Sequence, residues 1–177
     1  MTTYVLGGGC FWCLDGVYAQ LRGVVSVESG YAGGDQPADY WHVVSGRTGH
    51  AEVVRLTFDE TTIPAETILD IFFLIHDPTS LNKQGADEGT QYRSTMMYTD
   101  EEQHKAFQTA LTKAQTIWGK PIVTEIVPLK TFYMAEQEHQ DYYANNSLAG
   151  YCQIVIDPKI AKARAKYASW FKEEVIS

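Results

Sequence analysis

Tyr4-Val5-Leu6-Gly7-Gly8-Gly9-Cys10-Phe11-Trp12-Cys13 reads as a short apolar strand that runs into glycines and turns at once into a helix. Phe11, Leu14, Val17, Tyr18 and Leu21 recur at helical spacing, so the helix is expected over residues 11–21. The glycines allow the sharp turn that joins the two elements. Cys10 is thereby expected at a helix N-terminus, where unpaired N–H groups and the helix dipole favour a thiolate. Taken singly, a free cysteine and its Phe and Trp neighbours are ordinary core residues.

Outward from this unit, residues 24–31 read as a second strand ended by Ala32-Gly33-Gly34-Asp35. Residues 52–59 alternate Val53 and Arg55 with Val54, Leu56 and Phe58 in strand fashion. Pro64 opens a second helix carrying Ile68, Leu69, Phe72, Phe73 and Ile75, ended near Asp77-Pro78. A glycine-rich loop is expected over 81–90, a strand over 94–98, a polar-faced helix over 100–118 and a strand over 122–127. Two last helices are expected over 135–145 and 158–171. The order lacks a strict βαβ period, which points to an α+β or α/β two-layer domain with helices against one mixed sheet.

With 177 residues and no repeat, low-complexity tract or long linker, a single domain over residues 1–177 is expected. The most apolar stretch, residues 68–75, is far shorter than the roughly 20 residues a bilayer requires. Met1-Thr2-Thr3-Tyr4 has no basic signal-peptide region, so the expected location is the cytoplasm. A net charge of -8 opposes binding to nucleic-acid phosphates and anionic membranes. Three cysteines are an odd number for a disulfide scaffold and read better as redox or catalytic thiols.

Cys10 and Cys13 form a Cys-x-x-Cys pair, which serves thiol–disulfide switches, zinc sites or haem attachment. Haem attachment needs His at position 14, where this chain has Leu. Zinc needs four ligands, and beyond the pair only Cys152 and scattered histidines remain, with no second close pair. Trp12 breaks a dinucleotide-binding fingerprint, and no Gly-Lys-Ser/Thr follows the glycines to make a phosphate loop.

Gly9-Cys10-Phe11-Trp12, Ser29-Gly30-Tyr31-Ala32-Gly33-Gly34, Gly49-His50-Ala51-Glu52, Gly89-Thr90-Gln91-Tyr92-Arg93-Ser94 and Tyr151-Cys152 occur in this order along nearly the whole chain. Together they resemble the successive motifs of the peptide methionine sulfoxide reductase A family. The resemblance implies a thiol-dependent reductase of the S epimer of methionine sulfoxide, free or in proteins. That oxidation product is reversible and turns an apolar side chain polar and chiral. The expected fold is α+β, a single two-layer α/β sandwich with a ferredoxin-like mixed sheet and helices packed on it.

The resemblance also implies roles. Cys10 is the nucleophile, and Phe11 and Trp12 form the pocket for the substrate methyl group, a use suited to aromatic rings. Glu52 is the acid: drawn into an aromatic pocket it stays protonated and donates to the sulfoxide oxygen. Tyr40 and Tyr92 match tyrosines that hydrogen-bond that oxygen, and phenols are neutral donors at pH 7. Asp87 matches an aspartate that organises the site, whereas His50 reads as an anchor for the start of a strand. Cys152 matches the recycling cysteine, in a segment that looks loop-like after Asn145-Asn146-Ser147. Cys13 is the second choice, bridgeable to Cys10 only if Cys10 sits at a non-helical cap position.

Two departures from the family pattern stand out. Cys13 occupies a position that is often glycine in relatives, and the glycine-rich tail with a further cysteine is absent. Thioredoxin, or a similar dithiol, is the expected reductant. No metal or organic cofactor is expected, and the protein is expected to be a monomer. Competing readings are a general thiol–disulfide oxidoreductase built on Cys10 and Cys13, and a methionine-rich-peptide or metal-binding module.

Overall fold

The computed structural model describes residues 1–34, 39–46 and 48–173, so Asp35 of the expected turn lies outside the described residues. Six strands form one sheet: β1 (Thr2–Gly7), β2 (Val24–Ala32), β3 (Ala51–Phe58), then, after a small hairpin of β4 (Lys83–Gln84) and β5 (Asp87–Glu88), β6 (Thr95–Tyr98), β7 (Glu125–Pro128) and β8 (Tyr133–Met134). Their order is β7-β6-β1-β3-β2-β8. The four middle strands are mutually antiparallel, β7 lies parallel to β6, and β8 lies antiparallel to β2.

The helices are α1 (Phe11–Tyr18), α2 (Tyr40–Val44), α3 (Ala65–Ile75), α4 (Glu101–Gln115), α5 (Tyr142–Asn146) and α6 (Asp157–Tyr167). With α1 between β1 and β2, and α3 between β3 and β6, the centre is the βαββαβ arrangement of a ferredoxin-like sheet. The mixed α+β architecture expected from the sequence is the one observed.

The period of two along β3 decides what faces the helices. Val54, Leu56 and Phe58 enter the main core with Leu14, Val17, Ile68, Phe72 and Phe107, whereas Ala51 and Val53 enter a small cluster on the opposite face with Val5, Ala32 and Met97. Glu52 has the parity of the core-facing set. A carboxyl is therefore carried beneath the helices at the start of the strand, where it is 1% exposed.

Several boundaries differ from the sequence expectation. Helix α1 stops at Tyr18 rather than at 21, and the 122–127 strand is β7, from Glu125. The helix expected over 135–145 is a 3-10 turn at Gln137–His139 followed by the short α5. The stretch before α6 is a π-helical turn, Cys152–Ile156. Cys152 is thus fully buried in helical structure instead of lying on a loop, because its neighbour Ile156 packs against Gly16 of α1.

Candidate active site

Gly9 has a φ of +89°, open to glycine at little cost, and Cys10 follows it in extended conformation (φ −62°, ψ 131°) as the N-cap of α1. The Cys10 side chain makes no capping bond. The first helical N–H, that of Phe11, instead donates to Glu52 Oε1 at 3.2 Å. An orphan donor of the helix terminus thereby fastens the core-side carboxyl next to residue 10. Glu52 Oε2 is buried and has no hydrogen-bond partner among the described residues.

The electrostatics follow from burial. Desolvation raises the Glu52 carboxyl to about 8 despite the bond from Phe11, so it is mostly protonated at neutral pH. Burial also pushes the Cys10 thiol well above its ordinary value, with Glu52 and then Cys13 adding to the effect. The Trp12 N–H and the Tyr151 hydroxyl act the other way and are outweighed. This corrects the expectation of a thiolate stabilised at a helix terminus: the site lies in a desolvated core, and the Phe11 N–H is engaged by Glu52. Cys13 is raised as well, mainly by burial. All three cysteines are free and buried.

The other expected residues gather around this pair. Tyr40 opens α2, and Tyr92 ends a 3-10 turn (Thr90–Tyr92) that follows the β4–β5 hairpin. Burial raises both phenols, the Glu52 charge raises them further, and Cys10 and Asp87 also act on each, so both remain protonated O–H donors. Asp87 accepts from the Tyr151 hydroxyl at 3.0 Å, and that hydroxyl lies 3.6 Å from Cys13 Sγ. Phe11 packs near Tyr31 and His139, with ring centroids 5.7 and 5.6 Å away. Trp12 stacks on Tyr142 at 3.8 Å and meets Tyr151 edge-on at 5.6 Å. Cys152 lies one residue beyond Tyr151, turned into the core.

His50 does not join the group. Its Nδ1 accepts the Gly34 N–H at 3.0 Å, and a Cβ at Gly34 would lie 2.5 Å from the Thr48 carbonyl oxygen. His50 thus holds the glycine turn after β2 against the entry to β3, as an anchoring histidine does.

Tyr31, Glu136, His139, Tyr142 and Tyr151 are site neighbours that were not singled out from the sequence. Tyr31 and Tyr151 did fall inside the quoted motifs, which was their only sequence signal among 11 tyrosines. Glu136, Glu138 and His139 are the one group among the described residues whose donor atoms, within 4.8 Å of one another, could hold a metal ion.

Residues 2–171 match the family model described as peptide methionine sulfoxide reductase. A peptide methionine sulfoxide reductase MsrA of Paenarthrobacter aurescens (strain TC1) is 58% identical over 171 residues, covering 96% of this chain and 98% of the relative. The crystal structure of reduced Mxr1 from Saccharomyces cerevisiae is similar with a TM-score of 0.78 and 35% identity, over 85% of this chain and 88% of that one. Mxr1 in complex with Trx2 is similar with a TM-score of 0.56 and 26% identity, over 80% of this chain and 84% of that one. Neither a general thiol–disulfide oxidoreductase nor a binding module accounts for a match of this length together with a buried thiol and carboxyl. The chain belongs to the peptide methionine sulfoxide reductase family and is an oxidoreductase acting on methionine sulfoxide.

Proposed function

We propose that this protein reduces the S epimer of methionine sulfoxide, free or in proteins, as a monomeric cytoplasmic enzyme with one catalytic domain over residues 1–177. The observation that carries the residue assignment is the bond from the Phe11 N–H to Glu52, which sets a protonated carboxyl beside Cys10. Cys10 Sγ attacks the sulfoxide sulfur while Glu52 gives its proton to the oxygen. The thiol proton restores Glu52. Within the adduct the hydroxyl passes from the substrate sulfur to Cys10 Sγ: the substrate S–O bond and the bond made by the attack both break. Methionine departs with the electron pair, and Cys10 is left as a sulfenic acid, oxidised by two electrons as the sulfoxide is reduced.

Tyr40 and Tyr92 hydrogen-bond the sulfoxide oxygen, Phe11 and Trp12 receive the methyl group, and Asp87 orders the site through Tyr151. The sulfenic acid then condenses with Cys152, forming a disulfide and releasing water. A specific observation keeps Cys13 as a second reading: Cys10 is at the non-helical cap position that a Cys10–Cys13 bridge requires. A thioredoxin dithiol reduces the disulfide by exchange, a reading supported by the yeast relative solved with Trx2.

The decisive assay is incubation with separated epimers and dithiothreitol, scored for methionine. The wild type is expected to consume the S epimer, and Cys10→Ser to yield none while remaining folded, since the hydroxyl is nearly isosteric but not ionisable near neutrality. Methionine formation by folded Cys10→Ser would remove Cys10 from this role.

A further inference from the structure

Tyr40 lies apart in the chain from the frame that has to hold it. Glu136 supplies the tie. Its Oε1 accepts the Tyr40 backbone N–H at 3.2 Å and the Tyr31 hydroxyl at 3.2 Å, with Oε2 at 3.3 and 3.5 Å from the same two donors. Tyr31 is fully buried at the end of β2, and burial together with the Glu136 charge keeps its phenol protonated. Glu136 is itself fixed. The preceding β8 pairs Tyr133 and Met134 with Tyr31 and Gly30. The Ala135 N–H donates to the Ser29 carbonyl at 2.9 Å. Gln140 closes the far side, its Oε1 accepting from Ser29 N and its Nε2 donating to the Ser29 and Ala135 carbonyls.

The turn that begins after Glu136 also carries His139, 7% exposed, whose ring is 4.4 Å from Tyr40, 5.6 Å from Phe11 and 5.7 Å from Trp12. One six-residue segment clamped to β2 therefore holds Tyr40 by its backbone and backs three of the proposed substrate-contacting rings.

We infer that Glu136 is a positioning residue for sulfoxide reduction: its carboxylate sets the Tyr40 hydroxyl by bonding the Tyr40 N–H and Tyr31 together. The inference rests on the role proposed above for Tyr40. Glu136 bonds the Tyr40 N–H and the Tyr31 hydroxyl and lies 3.5 Å from His139 Nε2, with no bond to Cys10 among the described residues, so it acts through other residues.

A misplaced donor of this kind costs about 10- to 100-fold in rate. Because the Tyr40 bond strengthens as charge develops on oxygen, Glu136→Ala is expected to lower kcat and kcat/KM for the single-turnover step together, with KM little changed. Glu136→Gln keeps an acceptor for both donors and is expected to stay within about threefold of wild type.

The separating measurement is a cycle with Tyr40→Phe. If Glu136 works through the Tyr40 hydroxyl, Glu136→Ala should cost little more once that hydroxyl is gone, whereas multiplying penalties would overturn the inference, as would an unchanged kcat in Glu136→Ala. A turnover-independent readout accompanies it: amide exchange at Tyr40 should accelerate in Glu136→Ala and not in Glu136→Gln, and unchanged protection in Glu136→Ala would also overturn it. A wild type inactive toward methionine sulfoxide with the expected exchange pattern would instead refute the functional reading alone. A Tyr40→Phe enzyme as fast as wild type would refute the role proposed for Tyr40 and with it this inference, while leaving the reduction of methionine sulfoxide standing.

Discussion

Glu52 carries two jobs with one carboxyl. It caps the first N–H of α1 through Oε1 and leaves Oε2 unpartnered beside the thiol. Its position follows from a period of two along β3, so the acid sits where a fourth apolar side chain would otherwise complete the core face after Val54, Leu56 and Phe58. That burial raises it to about 8. If Glu52 is the proposed acid, only its protonated form donates, and the single-turnover rate should be level near pH 6–7 and decline as pH rises through about 8. Glu52→Gln cannot donate a proton and should be slower by roughly 10²-fold or more at neutral pH, with the alkaline decline removed. Rapid-quench measurement of methionine formation across pH 5.5–9.5 reads both effects; a Gln variant with the wild-type rate and profile would reduce Glu52 to a helix cap.

In the proposed mechanism, the element on which recycling turns is the helical run from the π turn Cys152–Ile156 into α6. Its first side chains reach the site: Tyr151 bonds Asp87 and lies against Cys13, while Cys152 points into the core. Because Cys152 is buried within helical structure, a bridge from Cys10 to Cys152 is expected to open this turn, whereas one from Cys10 to Cys13 spans a single turn that starts at a cap. After one equivalent of methionine sulfoxide, peptide mapping should find Cys10 joined to Cys152, with faster amide exchange at residues 150–156 than in the reduced protein. A Cys10–Cys13 bridge with unchanged exchange would transfer the resolving role to Cys13. The sequence could not anticipate this turn as helix, because Asn145-Asn146-Ser147 and Gly150 read as loop and the packing of Ile156 on Gly16 is a tertiary contact. The same limit hid α2 and the turn at Gln137–His139. Each is short, and each is held by bonds spanning 96 to 111 residues, as in Glu136 to Tyr40 and Gln140 to Ser29. By contrast β1, β3, α1 and α3 bury faces whose 2- and 3.6-residue periods are local, and they were legible with their core residues.

Across the whole molecule, the site's buried acids set how stability varies with pH. Besides Glu52, a second buried acid, Asp15 of α1, is 2% exposed and raised to about 7 by burial and then by Asp141, with the Tyr142 N–H acting in the opposite direction. Both carboxyls hold a proton in the folded state that they lose in the unfolded chain near their ordinary values of 3.8 and 4.5. Between those values and about 7 to 8 the native state binds more protons, so each stabilises the fold at acid pH and loses that contribution as pH rises. His76 works the other way. Its Nδ1–H donates to the Phe72 carbonyl and its Nε2 accepts from Ser94, in a buried position that lowers it to about 4. It therefore costs stability as pH falls from 6.5 toward 4. Two raised carboxyls oppose one depressed imidazole below 6.5, and above 6.5 the imidazole is neutral in both states. The net expectation is a melting temperature that falls from about pH 5 to pH 8.5, against the common pattern of greatest stability near neutrality. Asp15→Asn keeps a carbonyl for the Tyr142 N–H, and Glu52→Gln keeps one for the Phe11 N–H, so each variant should flatten the slope, and the double variant more than either. Calorimetry at half-unit pH steps tests this, and a double variant that melts with the wild-type pH dependence would show that these two acids do not hold their protons in the fold.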